Sequence, residues 1–193
     1  MSEKDSHNKF RKNSLFVIAI VIVISVGLCG CTTTPPNNPP ETSLLTVQVG
    51  SLLYNYSLTD LTELDAVSGQ GSYINKVGKI TGPNTYTGMT VSVLLESIPS
   101  LPSNYTFRAI ASDGYARNFS SDELNGYVTV FNETGAELGT GIITMIVAYE
   151  ENGVFLNETT KGPLRIAFID DEPSITNSGL WLSSLVKIEI IAE

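Results

Sequence analysis

The chain has 193 residues and a formal net charge of −9, from 11 Lys or Arg against 20 Asp or Glu. That balance argues against nucleic-acid binding, which needs clustered Lys and Arg to neutralise phosphates, and it does not suit anionic lipid head groups. Its two cysteines, Cys29 and Cys31, and its one histidine, His7, all lie at the start, so the remainder has no Cys nucleophile, no His-based triad and no zinc site built on Cys or His.

The chain opens with Lys4, Lys9, Arg11 and Lys12, continues with an apolar run over 15–28, and reaches Leu28-Cys29-Gly30-Cys31. A basic start, a short apolar core and small residues before a cut describe a secretory signal. The run is 14 residues long, where a bilayer-spanning helix needs about 20. Leu28-Cys29-Gly30-Cys31 resembles a lipoprotein signal, with Cys31 as the lipidated first residue of the mature chain. The other reading is an uncleaved anchor, with the same topology. Either way the expectation is a protein held at the cell membrane with its domain on the outer side. One lipid chain binds only marginally, so stable anchoring needs a second acyl group or a retained helix.

Positions 32–43 carry four prolines among Thr and Asn with almost nothing apolar, which predicts an extended, solvated stalk. Residues 44–193 are the size of one domain with room for a sizeable core. They hold seven Lys or Arg and seventeen Asp or Glu. Five N-x-Ser/Thr sequons fall there, at Asn55, Asn104, Asn118, Asn132 and Asn157. Singly such a match is weak; together, in a domain predicted to be exported, they make these asparagines candidate glycosylation sites, and a lipobox with such glycans would suit an archaeal cell surface.

Apolar alternation and turn residues predict a hairpin over 44–49 and 52–56, turning at Gly50-Ser51. Ser57 and Asp60 have capping-box spacing and open a short helix through Leu64. Positions 67–82 are rich in Gly and Ser and predict a long irregular loop with one strand over 73–80. Positions 91–98 read as a helix with Thr90 as its cap and Pro99 as its stop. Asp113-Gly114 is a strong hairpin signal between strands over 105–112 and 115–119. Ser120 and Glu123 form a second capping box before one turn that ends at Gly126. Strands follow over 127–131 and 142–150, and Asn152-Gly153 turns the latter into 154–156. The last two strands cover 164–169 and 185–191. Few short helices and no regular strand–helix alternation predict an α+β fold, strand-rich, with mainly antiparallel or mixed sheet.

Chemistry-bearing clusters are scarce. Asp170-Asp171-Glu172 is the densest run of carboxylates, yet it lacks the spacing of a calcium loop and reads as a solvated connection. Ser68-Gly69-Gln70-Gly71-Ser72 offers backbone for close approach to a ligand, or simply a flexible loop. Trp181, the lone tryptophan, reads as a core residue.

Four segments together resemble a known family. They are Tyr86-Thr87-Gly88-Met89-Thr90-Val91-Ser92-Val93-Leu94-Leu95, Ala111-Ser112-Asp113-Gly114-Tyr115, Gly162-Pro163-Leu164-Arg165, and the stretch 181–190 with Trp181, Val186 and Lys187. In this order they resemble the sulfite-oxidase-type molybdopterin-binding domain, over most of 44–193. The resemblance implies that family's fold, and a molybdopterin cofactor whose metal is bound by a protein cysteine upstream of Tyr86. Here that region has Ser68, Ser72 and Tyr73 and no Cys, and Thr159-Thr160-Lys161 stands where the family often has a His. Arg165, Arg117 and Lys161 remain as cations for an anionic ligand, with Asp113, Tyr115 and Ser72 as further candidate ligand residues; the ordinary role of the cations is pairing with surface carboxylates. Three readings follow. The first is a non-catalytic surface lipoprotein with a binding or structural module, carrying no cofactor and no metal. The second is a molybdopterin-dependent oxidoreductase with unusual ligation. The third is a solute-binding or adhesion lipoprotein that uses the former cofactor cleft for another small ligand or a surface partner.

Overall fold

A computed structural model describes residues 41–193; the predicted signal over 1–31 with Cys31, and positions 32–40 of the predicted stalk, lie outside the described residues. Strands β1 (Leu45–Val49) and β2 (Leu52–Tyr56) pair antiparallel across Gly50-Ser51. Helix α1 (Leu58–Thr62) follows, and its capping box is complete: the Ser57 hydroxyl accepts from the Asp60 N–H, while the Asp60 carboxylate accepts from the Ser57 N–H. Next come β3 (Ala66–Ile74), β4 (Ile80–Thr90), α2 (Val91–Glu96), β5 (Tyr105–Ala111), β6 (Ala116–Phe119) and α3 (Ser121–Leu124). Thr90 caps α2 and Ser120 caps α3, the latter by a second capping box with Glu123. The chain ends with β7 (Tyr127–Phe131), β8 (Glu137–Ile142), β9 (Thr144–Glu151), β10 (Val154–Phe155), β11 (Arg165–Ile169), β12 (Ser174–Asn177) and β13 (Leu185–Ala192). Short 3-10 turns occupy Glu158–Thr160 and Ser178–Leu180.

Two sheets form. The five-stranded sheet runs β2-β1-β13-β5-β6, and the eight-stranded sheet runs β10-β9-β4-β3-β12-β7-β8, with β11 also paired to β9. Both are mixed, because β1 runs parallel to β13 and β12 parallel to β3. Alternation explains the first sheet. In β5, Phe107, Ala109 and Ala111 point inward, and across the ladder Ile188 and Ile190 of β13 do the same. Burying a side chain such as Phe107 or Ile188 stabilises by roughly 1.5–3 kcal/mol. The second sheet is covered more deeply. Five consecutive residues of β9 from Met145 to Tyr149 are buried, as is all of β11, and continuous apolar runs of this kind mark strands with both faces covered. One buried cluster joins both sheets with Leu61 of α1 and Leu94 and Leu95 of α2.

The α+β expectation holds, with strand-rich mixed sheets and few short helices. Three local expectations fail. The predicted loop over 67–82 is instead the β3–β4 hairpin, which turns at 75–79. Its glycines do not loosen the strand but let neighbours approach: a Cβ on Gly71 would lie 2.5 Å from the Phe168 carbonyl and 2.8 Å from the Trp181 ring. Strands β8 and β12 were not anticipated, and Ile142 ends β8 rather than opening β9. Strand β8 lies at a sheet edge and carries two glycines with mostly exposed positions, so no buried alternation marks it.

Candidate functional site

The fourth residue of the Gly162-Pro163-Leu164-Arg165 segment opens β11 and turns inward. Arg165 is 1% exposed, among the most buried large side chains of the domain. Its guanidinium lies 5.0 Å from the ring centre of Tyr86 and 5.0 Å from that of Trp181. Trp181 in turn sits between Tyr86, at 5.3 Å, and Tyr73, at 5.1 Å, both tilted. The three rings arrive from β3, β4 and the segment after the Ser178–Leu180 turn. Gly71 makes room for the Trp181 ring on β3, and Thr176 of β12 accepts the indole N–H at 2.8 Å.

Polar partners of Arg165 are few. Its Nη1 is 3.5 Å from Glu151 and 3.4 Å from the Tyr86 hydroxyl, both long contacts, and Nε is buried with no hydrogen-bond partner among the described residues. Glu151 is better engaged elsewhere, accepting from Asn84 at 2.7 Å and from the Tyr86 hydroxyl at 3.1 Å. Ring faces therefore contribute much of what holds this cation, and a desolvated cation–π contact is worth about 2 kcal/mol. Burial pushes the Tyr86 hydroxyl up to about 12; Arg165 opposes the rise and Glu151 adds to it. For Tyr73 burial acts upward, but Lys161, the Thr81 hydrogen bond and Arg165 outweigh it and hold the hydroxyl below the ordinary tyrosine value.

The other candidate residues are dispersed. Lys161 is exposed, with Nζ 3.4 Å from the Tyr73 hydroxyl, at the outer end of the ring stack. Ser72 is buried in β3, and its carbonyl accepts from Thr176 at 3.4 Å. Arg117, on β6, stacks on Phe119 at 4.7 Å, pairs with Glu123 at 2.6 Å and donates to the Gly179 carbonyl. It lines a depression of about 480 Å³ together with Tyr127, Thr129, Glu137 and Asn177. Asp113 and Tyr115 lie on the exposed β5–β6 turn, where Asp113 accepts the Tyr115 N–H at 2.9 Å. Thus Arg165 lies against Trp181 and Lys161 against Tyr73 at the end of the stack, Ser72 joins only through its carbonyl bond from Thr176, and Asp113 and Tyr115 sit at a solvent-facing turn. Sequence reasoning missed Glu151, Asn84 and Tyr73 as members of this cluster. Glu151 had no local signal, because its partners Asn84 and Tyr86 are more than 60 residues away.

The donor set here is cations, hydroxyls and one carboxylate. Among the described residues there is no Cys, and no group of three His, Cys, Asp or Glu is placed to hold a metal ion. A dithiolene-bound molybdenum that needs a protein thiolate does not fit these residues, and the Trp181 ring packed on Gly71 takes up space beside Ser72.

The two mixed sheets with few short helices form a strand-rich fold similar to a sulfite-oxidase-like domain. Among solved structures the chain resembles the sulfane dehydrogenase SoxCD from Paracoccus pantotrophus, with a TM-score of 0.55 and 14% identity over 77% of this chain and 38% of that one. The likeness concerns the fold alone, and the chain spans about two fifths of the other chain's length. No family model matches the chain, and no curated protein sequence matches it.

Proposed function

We propose that this chain is an anchored cell-surface protein whose sulfite-oxidase-like domain is a non-catalytic binding or structural module. The observation that carries this reading is the packing around Arg165. The arginine of the Gly-Pro-Leu-Arg segment is enclosed by Tyr86 and Trp181, and Trp181 is pressed against Gly71 in the strand where the family resemblance would put a metal-binding thiolate. Lipid attachment at Cys31, a proline-rich stalk over 32–43 and a domain over 44–193 on the outer face complete the proposal. Elemental analysis of anaerobically purified protein tests it: molybdenum and tungsten are expected well below one tenth of an equivalent, and a stoichiometric amount of either would overturn it in favour of an oxidoreductase with unusual ligation.

A second reading, a solute-binding module, is favoured by the depression beside Arg117, which joins a cation and its carboxylate partner to Tyr127 and Asn177. Native mass spectrometry that retains a small organic ligand, lost in Arg117→Ala, would favour it over a structural role.

A further inference from the structure

The five sequons differ in what the folded domain does with their hydroxyl groups. At Asn55-Tyr56-Ser57 the serine is buried, and its hydroxyl donates to Asp60 and accepts from the Asp60 N–H as the cap of α1. At Asn118-Phe119-Ser120 the serine caps α3, accepting from the Glu123 N–H. At Asn104-Tyr105-Thr106 the threonine donates to Glu193 at 2.9 Å. In each case the hydroxyl is committed to a partner outside the sequon, twice as a helix cap.

The remaining two are organised differently and alike. At Asn132-Glu133-Thr134 the asparagine Oδ1 accepts from the Thr134 N–H at 3.0 Å and from the Thr134 hydroxyl at 2.7 Å. At Asn157-Glu158-Thr159 it accepts from the Thr159 N–H at 2.9 Å and from the Thr159 hydroxyl at 2.6 Å. Both are Asx turns, so amide and hydroxyl are presented side by side as one unit on the folded surface. Asn157 is exposed and Asn132 half-buried. The Asn132 oxygen faces its own turn, where it also accepts from the Ala136 N–H, which aims the amide nitrogen away from it.

Their places in the fold add an independent observation. Asn132 closes the β7–β8 hairpin and Asn157 follows β10, and β8 and β10 are the two ends of the eight-stranded sheet. Both ends expose large apolar side chains: Leu138 and Ile142 on β8 are 67% and 71% exposed, Val154 and Phe155 on β10 are 66% and 50% exposed. Neither strand carries Lys, Arg or Pro; the protection that commonly keeps an exposed edge from pairing with another chain is here limited to one charge, Glu137, on β8 and to the two-residue length of β10.

We propose that Asn132 and Asn157 are N-glycosylated on the folded domain, and that the two glycans cover the open edges of the eight-stranded sheet. The donor class is a sugar activated at its anomeric carbon as a phosphate or diphosphate ester. The asparagine Nδ2 forms a bond to that carbon, the carbon–oxygen bond to phosphate breaks, the phosphate leaves with the electron pair, and Nδ2 loses one proton; nothing is oxidised or reduced. The inference rests on the surface-facing reading above, since the transfer requires export.

Protein purified from its own cells, with surface and cytosolic fractions kept apart, is digested and its glycopeptides mapped. Glycan at Asn132 and Asn157 is expected, with Asn55, Asn104 and Asn118 bare. Thr134→Ala and Thr159→Ala should each remove glycan at their own site, and Thr134→Ser should keep it. Asn132→Gln/Asn157→Gln protein should sediment as assemblies at concentrations where the glycosylated protein is monomeric, and Leu138→Lys should reverse part of that shift. Surface-fraction protein bare at Asn132 or Asn157 overturns the inference and leaves the surface reading standing. Recovery only from the cytosol overturns both. A double variant that stays monomeric overturns the edge-covering role.

Discussion

Arg165 and Arg117 are the same residue type in one domain, both set over aromatic rings and both with an Nε that finds no partner among the described residues. They differ in everything else. Arg165 is enclosed by rings and meets its carboxylate only at 3.5 Å, whereas Arg117 is part-exposed and holds Glu123 at 2.6 Å. The contrast separates two uses of a cation. One is a packing element of an aromatic core, whose charge is tolerated because ring faces and Glu151 surround it. The other is a rim charge beside open space. The arginine of the Gly162-Pro163-Leu164-Arg165 segment is thus the less accessible of the two.

The largest expected break in this comparison comes from removing the ring that closes the Arg165 side. Trp181→Ala should destabilise the domain by about 3–5 kcal/mol, through lost packing and a cavity beside Gly71. Urea unfolding followed by far-UV circular dichroism measures this, since Trp181 is the chain's lone tryptophan. A loss under about 1 kcal/mol would mean that the ring does not close the core. Arg165→Ala should cost about 3 kcal/mol, because it leaves Glu151 without its cation and Trp181 without its cap; Arg165→Met, which keeps much of the stem volume, should recover part of it in the same assay.

A pH scan is the next test. With the Tyr86 hydroxyl raised to about 12, the folded state keeps a proton that the unfolded chain gives up near pH 10. Stability should be full below pH 10 and fall as pH rises toward 12, by about 2 kcal/mol. Urea midpoints of the native protein and of Tyr86→Phe between pH 9 and 12 should diverge in slope; parallel curves would remove the claim. The smallest effect belongs to the rim: Arg117→Ala should cost about 1 kcal/mol, and less in high salt. If it equals the Arg165→Ala loss, the two arginines are not used differently.

Much of the fold was legible. Both capping boxes, the Thr90 cap and the Asp113-Gly114 turn rest on hydrogen bonds between near neighbours, and the structure forms each of them. The β3 strand was misread because its Gly and Ser residues carry no apolar alternation; Gly71 answers to Trp181 and Gly69 to Asp170, both more than 100 positions later. Strands β8 and β12 escaped for a related reason. One is an exposed edge, and the other is four residues long and defined by its partners β3 and β7.

By itself the sequence determined the local frame: where helices start, where hairpins turn, which strands alternate, and the absence of cysteine and histidine from the domain. These depend on side-chain chemistry within a few positions. Only the tertiary structure decided that Arg165 is enclosed, that Glu151, Asn84 and Tyr86 share one polar cluster, and that two of the five sequons stand beside open sheet edges. Burial, ring stacking and edge position arise from pairings between distant segments, and no local pattern encodes which distant segment arrives.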